Sequence, residues 1–124
     1  MRERRFGFRV PYEVMMTSYV GDRPVRSLAA DLSDTGVCLS AVSILAPRVG
    51  TVMGLEFLIP GVADSIWAAG EVCHRRKDTV ATELGVRFVA MAKTHARMLR
   101  DYCIESRRDH LGGLLAKIRS PGPA

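Results

Sequence analysis

A six-stranded antiparallel β-barrel, closed or flanked by one C-terminal helix, is the fold predicted by this 124-residue sequence. Three observations lead there. Between residues 12 and 90 the chain is a succession of short β-rich runs, several of them alternating apolar and polar, separated by Gly, Pro, Asp and Ser turn signals. After Met91 the apolar spacing lengthens to that of a helix. The length suits one hydrophobic core, and closing a sheet into a barrel removes the exposed edges of a small all-β domain.

Residues 1–9 carry four arginines against one glutamate, with Gly7 in the middle, and read as a mobile arm ended by Pro11. Residues 12–20 form the first strand and Gly21-Asp22-Arg23-Pro24 a turn. Residues 25–31 are the second strand, and a tight turn over 33–36 leads into the third, 37–41. A looser link, 42–50, contains Pro47 and Gly50. In 51–59, Met53, Leu55, Phe57 and Ile59 fall on one face, and Pro60-Gly61 ends the strand. Residues 66–75 and 82–90 complete the sheet about a loop at Arg76-Lys77-Asp78, with Leu84, Val86 and Phe88 sharing a face and Trp67 assigned to the core. Met91, His95, Met98, Leu99, Tyr102 and Cys103 make a helical stripe. Gly112-Gly113 is expected to interrupt or end that helix, because glycine is a poor helix former. Leu111, Leu114, Leu115 and Ile118 then add one turn or two before Ser120-Pro121-Gly122-Pro123 frays. The chain thus divides into an arm (1–11), a barrel with the start of the helix (12–105), and a helical extension with a tail (106–124).

Composition narrows the function classes. No apolar run approaches the roughly 20 residues that cross a bilayer, and the charged N-terminus is followed by no apolar stretch. A cytoplasmic protein without membrane contact is expected. Cys38, Cys73 and Cys103 are odd in number, far apart and flanked by apolar residues, which fits reduced, packed thiols. Cys73-His74 is an isolated adjacent pair of ligand types, so neither a metal nor a cofactor is expected. No P-loop, dinucleotide fingerprint or Gly-x-Ser-x-Gly occurs, and Ser33 has no histidine at a recognisable spacing; the chain does not read as an enzyme. The net charge of +5 points to an anionic partner or a basic surface.

Two short motifs carry more. Arg4-Arg5-Phe6-Gly7-Phe8-Arg9 is RRxxxR, and Asp31-Leu32-Ser33-Asp34-Thr35-Gly36 is DxSxxG. Arginine forks grip phosphate bidentately, stack on a base, or donate to the O6/N7 edge of guanine. A carboxylate accepts from the opposite guanine edge, N1–H and N2–H₂. Together the motifs supply what binding a guanine nucleotide requires. Each also has a plain alternative: a basic arm is often a solvated tail, and Asp and Ser at a strand end often only form a turn. Ser33 either bonds a ligand or holds the turn backbone; Gly36 either takes a positive φ or lets a ligand approach closely.

The two motifs, in this order and ahead of these strands and this helix, resemble the PilZ domain, the bacterial receptor module for cyclic di-GMP, over residues 4–105. Gly70-Glu71-Val72 and Gly85-Val86-Arg87-Phe88 also look like the family's later strands. The resemblance implies a stand-alone member with the PilZ type of six-stranded barrel, in which Arg5, Arg9, Asp31, Ser33 and Gly36 bind cyclic di-GMP. A basic residue in the place of Arg4 goes, in this family, with an intercalated pair of ligands per chain. A third contact on the later strand falls to His74 or Arg75, on opposite faces of a regular strand, with His74 preferred. The function implied is a receptor or effector that orders its arm on the ligand and relays the signal to a downstream protein. The C-terminal helix is a candidate for that contact or for a homodimer. Two alternatives stand beside it: a PilZ-fold adaptor acting through protein contacts alone, and a small basic barrel binding nucleic acid. The 6% aromatic content argues against the last, since single strands are held on stacking platforms.

Overall fold

The computed structural model of the chain describes residues 10–42, 45–77 and 80–119. Six strands, β1 (Val10–Val20), β2 (Arg23–Leu32), β3 (Gly36–Val42), β4 (Val52–Phe57), β5 (Ile66–Lys77) and β6 (Ala81–Met91), precede one helix, α1 (Lys93–Arg119). They form a closed barrel in the order β1-β2-β3-β6-β5-β4, with β4 returning to β1 and every neighbour antiparallel.

Period-two alternation builds the wall. Met16, Leu39, Leu55, Ile66 and Leu84 point inward and are almost wholly buried, and Leu32, Val37 and Val72 join them. The helix closes one end: Leu99 and Cys103 enter the core, with Met98 and Tyr102 packed against it. His95 completes the join. Its Nδ1 accepts the Trp67 backbone N–H at 3.1 Å, just before the β5–β6 pairing begins at Ala68 and Met91.

Several boundaries differ from the sequence reading. Pro11, placed at the end of the arm, lies inside β1 opposite Asp31, where the register shifts between Pro11 and Val14. Such an irregularity accommodates a residue with no N–H to give the ladder. The first turn shrinks to Gly21-Asp22, because Val20 already pairs with Arg23 and Gly21 takes φ 63°. β5 continues through Arg76 and Lys77, which pair with Glu83 and Thr82; Arg76 and Glu83 bring opposite charges to 4.0 Å. Trp67 is not in the core. Its neighbours Ile66 and Ala68 point inward, so alternation turns the indole outward, where it stacks on Tyr19 at 5.8 Å. Glu56 Oε1 accepts the Tyr19 hydroxyl at 3.2 Å; partial burial and that carboxylate hold the phenol above its ordinary range.

Gly112-Gly113 does not interrupt α1, which runs unbroken to Arg119. Each glycine costs about 1 kcal/mol relative to alanine in a helix. Neither adopts the left-handed conformation that would stop the chain; among the described residues only Gly21, Gly50 and Gly61 have positive φ. Cys38 and Cys73 are half-buried and Cys103 is buried, all three as free thiols. Among the described residues no helix is long and apolar enough to cross a membrane.

Candidate functional site

The turn after β2 is held by the residues of DxSxxG themselves. Ser33 is 1% exposed, and its Oγ accepts the backbone N–H groups of Thr35 at 3.2 Å and Gly36 at 3.1 Å. The Ser33 N–H donates to the Gly36 carbonyl at 2.9 Å, and the hydroxyl lies 3.3 Å from that same oxygen. Of the two roles open to Ser33, the one visible is the turn. Gly36 does not take a positive φ. A Cβ there would run into the carbonyl oxygen of Val86, so the close approach that requires glycine is the approach of β6. The Phe88 N–H donates to the Thr35 carbonyl at 2.9 Å, tying the turn to β6 a second time.

Asp31 is placed by a bulge. β2 alternates cleanly through inward Ala29, but the register against β3 shifts between Ala29 and Asp31, and the next inward residue is Leu32. Two successive residues, Ala30 and Asp31, therefore lie off the core, with Asp31 half-buried. Register then defines a row across the outer wall: Asp31 pairs with Cys38, Cys38 with Gly85, and Gly85 with His74. Three strand spacings make that row about 14 Å wide.

The middle of the row is low and its ends are polar. Gly85 points outward between inward Leu84 and Val86, yet it is buried, because the His74 imidazole occupies the space a Cβ would fill. The shift in β5 between Val72 and His74 brings the ring there, and it leaves both His74 and Arg75 exposed. The strand is not regular there, so the alternation expected to send His74 and Arg75 to opposite faces is interrupted by that bulge just before His74. One row nearer the turn, Gly36 pairs with Arg87 and Arg87 with Glu71. Arg87 Nη2 donates to Glu71 Oε1 at 2.6 Å, and this bond, with one to Cys73, holds the guanidinium more firmly protonated than usual. The sequence marks Glu71, Gly85 and Arg87 only as resembling later strands and Cys38 only as a packed thiol; register alone brings them beside Asp31. A glycine amid bulky strand residues is the one signal that marks such a close approach.

Arg4, Arg5 and Arg9 lie outside the described residues. Their point of attachment is described: Val10 pairs with Leu32 and Pro11 with Asp31. RRxxxR is thus rooted beside DxSxxG, at the carboxylate edge of the row. At about 3.3–3.6 Å per extended residue, the five steps from Val10 back to Arg5 can reach farther than the width of the row. The face combines an acceptor carboxylate, a shallow floor of small groups and an imidazole, with arginines tethered at one side. That combination suits a flat anionic ligand.

The family model for the PilZ domain matches residues 3–105. The chain belongs to the PilZ family. Its closed barrel with a C-terminal helix is the PilZ fold, shared with solved structures at low identity. Bacillus subtilis inhibitor of motility MotI/DgrA superposes with a TM-score of 0.76 at 17% identity, covering 87% of this chain and 53% of that one. The PilZ domain of Escherichia coli YcgR with c-di-GMP gives 0.68 at 15% identity, over 90% of this PilZ chain and 98% of that one. The YcgR structure in complex with c-di-GMP gives 0.66 at 16%, over 90% and 50%. This PilZ chain therefore spans about half the length of the MotI/DgrA and YcgR chains. No curated protein matches it.

Proposed function

We propose that this PilZ chain is a cyclic di-GMP receptor whose N-terminal arm closes over the ligand on the Asp31–His74 row. The observation that carries the reading is the pairing of Pro11 with Asp31, which roots the three motif arginines at the edge of that row. Membership of the family, and the c-di-GMP held by the similar YcgR structures, support it. In this reading Arg5 and Arg9 grip phosphates and guanine edges, and Asp31 accepts from a guanine. Ser33 and Gly36 serve by holding the turn rigid, and the exposed His74 ring meets a base at the far side. Arg4 supplies the additional cation for an intercalated pair of ligands, which brings four phosphate charges. In this reading the nucleotide is a bound signal and is not hydrolysed. The ordered arm and its ligand make a composite surface that a downstream cytoplasmic protein reads.

Calorimetric titration of the whole chain with cyclic di-GMP, with GTP and cyclic AMP as controls, tests this. Saturation near two ligands per chain supports the pair, and near one keeps the receptor without it. Absence of both heat and thermal shift favours the protein adaptor. Arg5→Ala and Arg9→Ala are expected to weaken binding by at least about 2 kcal/mol, roughly thirtyfold, without moving the melting temperature of the free protein. Arg4→Leu is expected to lower a ratio of two to one.

A further inference from the structure

A cleft of about 580 Å³ lies between α1 and the segment 59–62 that follows β4. Its floor includes Ile59, Val62, Met98 and Tyr102. Its helical wall carries Asp101, Glu105 and Asp109, spaced four residues apart and so aligned on one side of α1. Among the described residues lining it there is no lysine or arginine. An apolar floor under three carboxylates asks for a segment that is both cationic and hydrophobic.

The chain's own sequence contains such a segment, ahead of β1. β1 stands between β4 and β2 in the barrel. β4 runs antiparallel to it, Thr17 pairing with Glu56 and Tyr19 with Gly54, so the segment after β4 flanks the start of β1. β1 is therefore flanked on one side by β4, which leads into the 59–62 wall of the cleft, and on the other by β2, whose Asp31 pairs with Pro11. The nine residues before Val10 hold Arg2, Arg4, Arg5 and Arg9, with Phe6 and Phe8 between them. Guanidinium groups match the carboxylate wall and the two phenyl rings match the floor, and nine residues reach about 30 Å.

We infer that this cleft is the resting seat of the chain's own residues 1–9, held there by Asp101, Glu105 and Asp109 until an anionic ligand draws the arm to the opposite side of β1. The seating stands on charge and shape complementarity; the displacement rests on the receptor reading. Because one arm serves two sites, the seat lowers apparent ligand affinity by the fraction of chains whose arm is withdrawn from it.

The test is the full-length triple variant Asp101→Asn/Glu105→Gln/Asp109→Asn, which removes the charge without adding a tryptic site. Limited trypsin digestion, with mass spectrometry reading only cleavage after Arg4, Arg5 and Arg9, reports whether the arm is seated. Cleavage is expected to accelerate about five- to tenfold in the variant, as when two or three exposed charge pairs are lost. It is expected to accelerate likewise in the wild type at high salt. Unchanged cleavage in both overturns the seat. All three positions are exposed, and an unchanged melting temperature verifies the fold; should the triple variant melt early, Asp109→Asn with the salt series decides. Cyclic di-GMP titration of the same variant is expected to show correspondingly tighter binding. Faster cleavage with no ligand binding by either protein keeps the seat and rejects the receptor reading.

Discussion

Gly36 and Gly85 both lie where a side chain has no room, and the obstacle differs. At Gly36 it is the backbone carbonyl oxygen of Val86, which moves only if β3 parts from β6. At Gly85 it is the ring of exposed His74, which rotates away. Gly36→Ala is therefore expected to cost about 1–3 kcal/mol, read as a lower urea midpoint. Gly85→Ala is expected to leave that midpoint within about 1 kcal/mol while unseating His74 and weakening cyclic di-GMP binding. Equal destabilisation by both would refute the distinction. Asp31, Ser33 and Gly36 were identifiable as a motif because their types and order carry the signal. The division of labour among them was not: Ser33 is committed to its own turn by bonds to Thr35 and Gly36, and Gly36 to β6 by the approach of Val86, far along the chain.

The helix is two elements joined end to end. Up to Cys103 it is a lid, contributing Leu99 and Cys103 to the core. Beyond Cys103 its apolar side chains are exposed: Ile104, Leu111, Leu115 and Ile118, the last at 76%. Ile104, Leu111 and Ile118 recur every seven residues, with Leu114 and Leu115 between the last two, the spacing of a seam between paired helices. A second copy of the chain is the occupant this periodicity suits. Sedimentation is expected to show a dimer that Leu111→Glu converts to monomer with little change in melting temperature. A monomeric wild type would refute self-association through this stripe. The helical period was readable from sequence, as was the poor fit of Gly112-Gly113. That two glycines failed to stop the helix reflects cooperativity, since good formers on either side continue the ladder.

At the scale of the molecule, stability depends on how the lid meets the barrel. Burial pushes the Cys103 thiol up to about 11, and the Asp34 carboxylate, from the DxSxxG turn, adds in the same direction. The unfolded chain releases this proton nearer 9.0, so the folded state binds it more tightly between the two values. The stabilisation is complete below pH 9 and is lost as pH rises through the window to about 11, by about 2–3 kcal/mol. Urea unfolding across this window is expected to fall more steeply for the wild type than for Cys103→Ala. Parallel curves would mean that the thiol is not held in the barrel end.

Strand number, their order along the chain, the inward residues Met53, Leu55 and Phe57, the helix and the two motifs all followed from the sequence, because alternation and turn chemistry are local. Register belongs to the tertiary structure. The bulges at Asp31 and before His74, the row through Cys38 and Gly85, the outward Trp67, and the acidic cleft between α1 and residues 59–62 arise only when the sheet closes. The physical reason is that a one-residue shift between strands moves a side chain to the opposite face, and that shift is decided by partners distant in sequence.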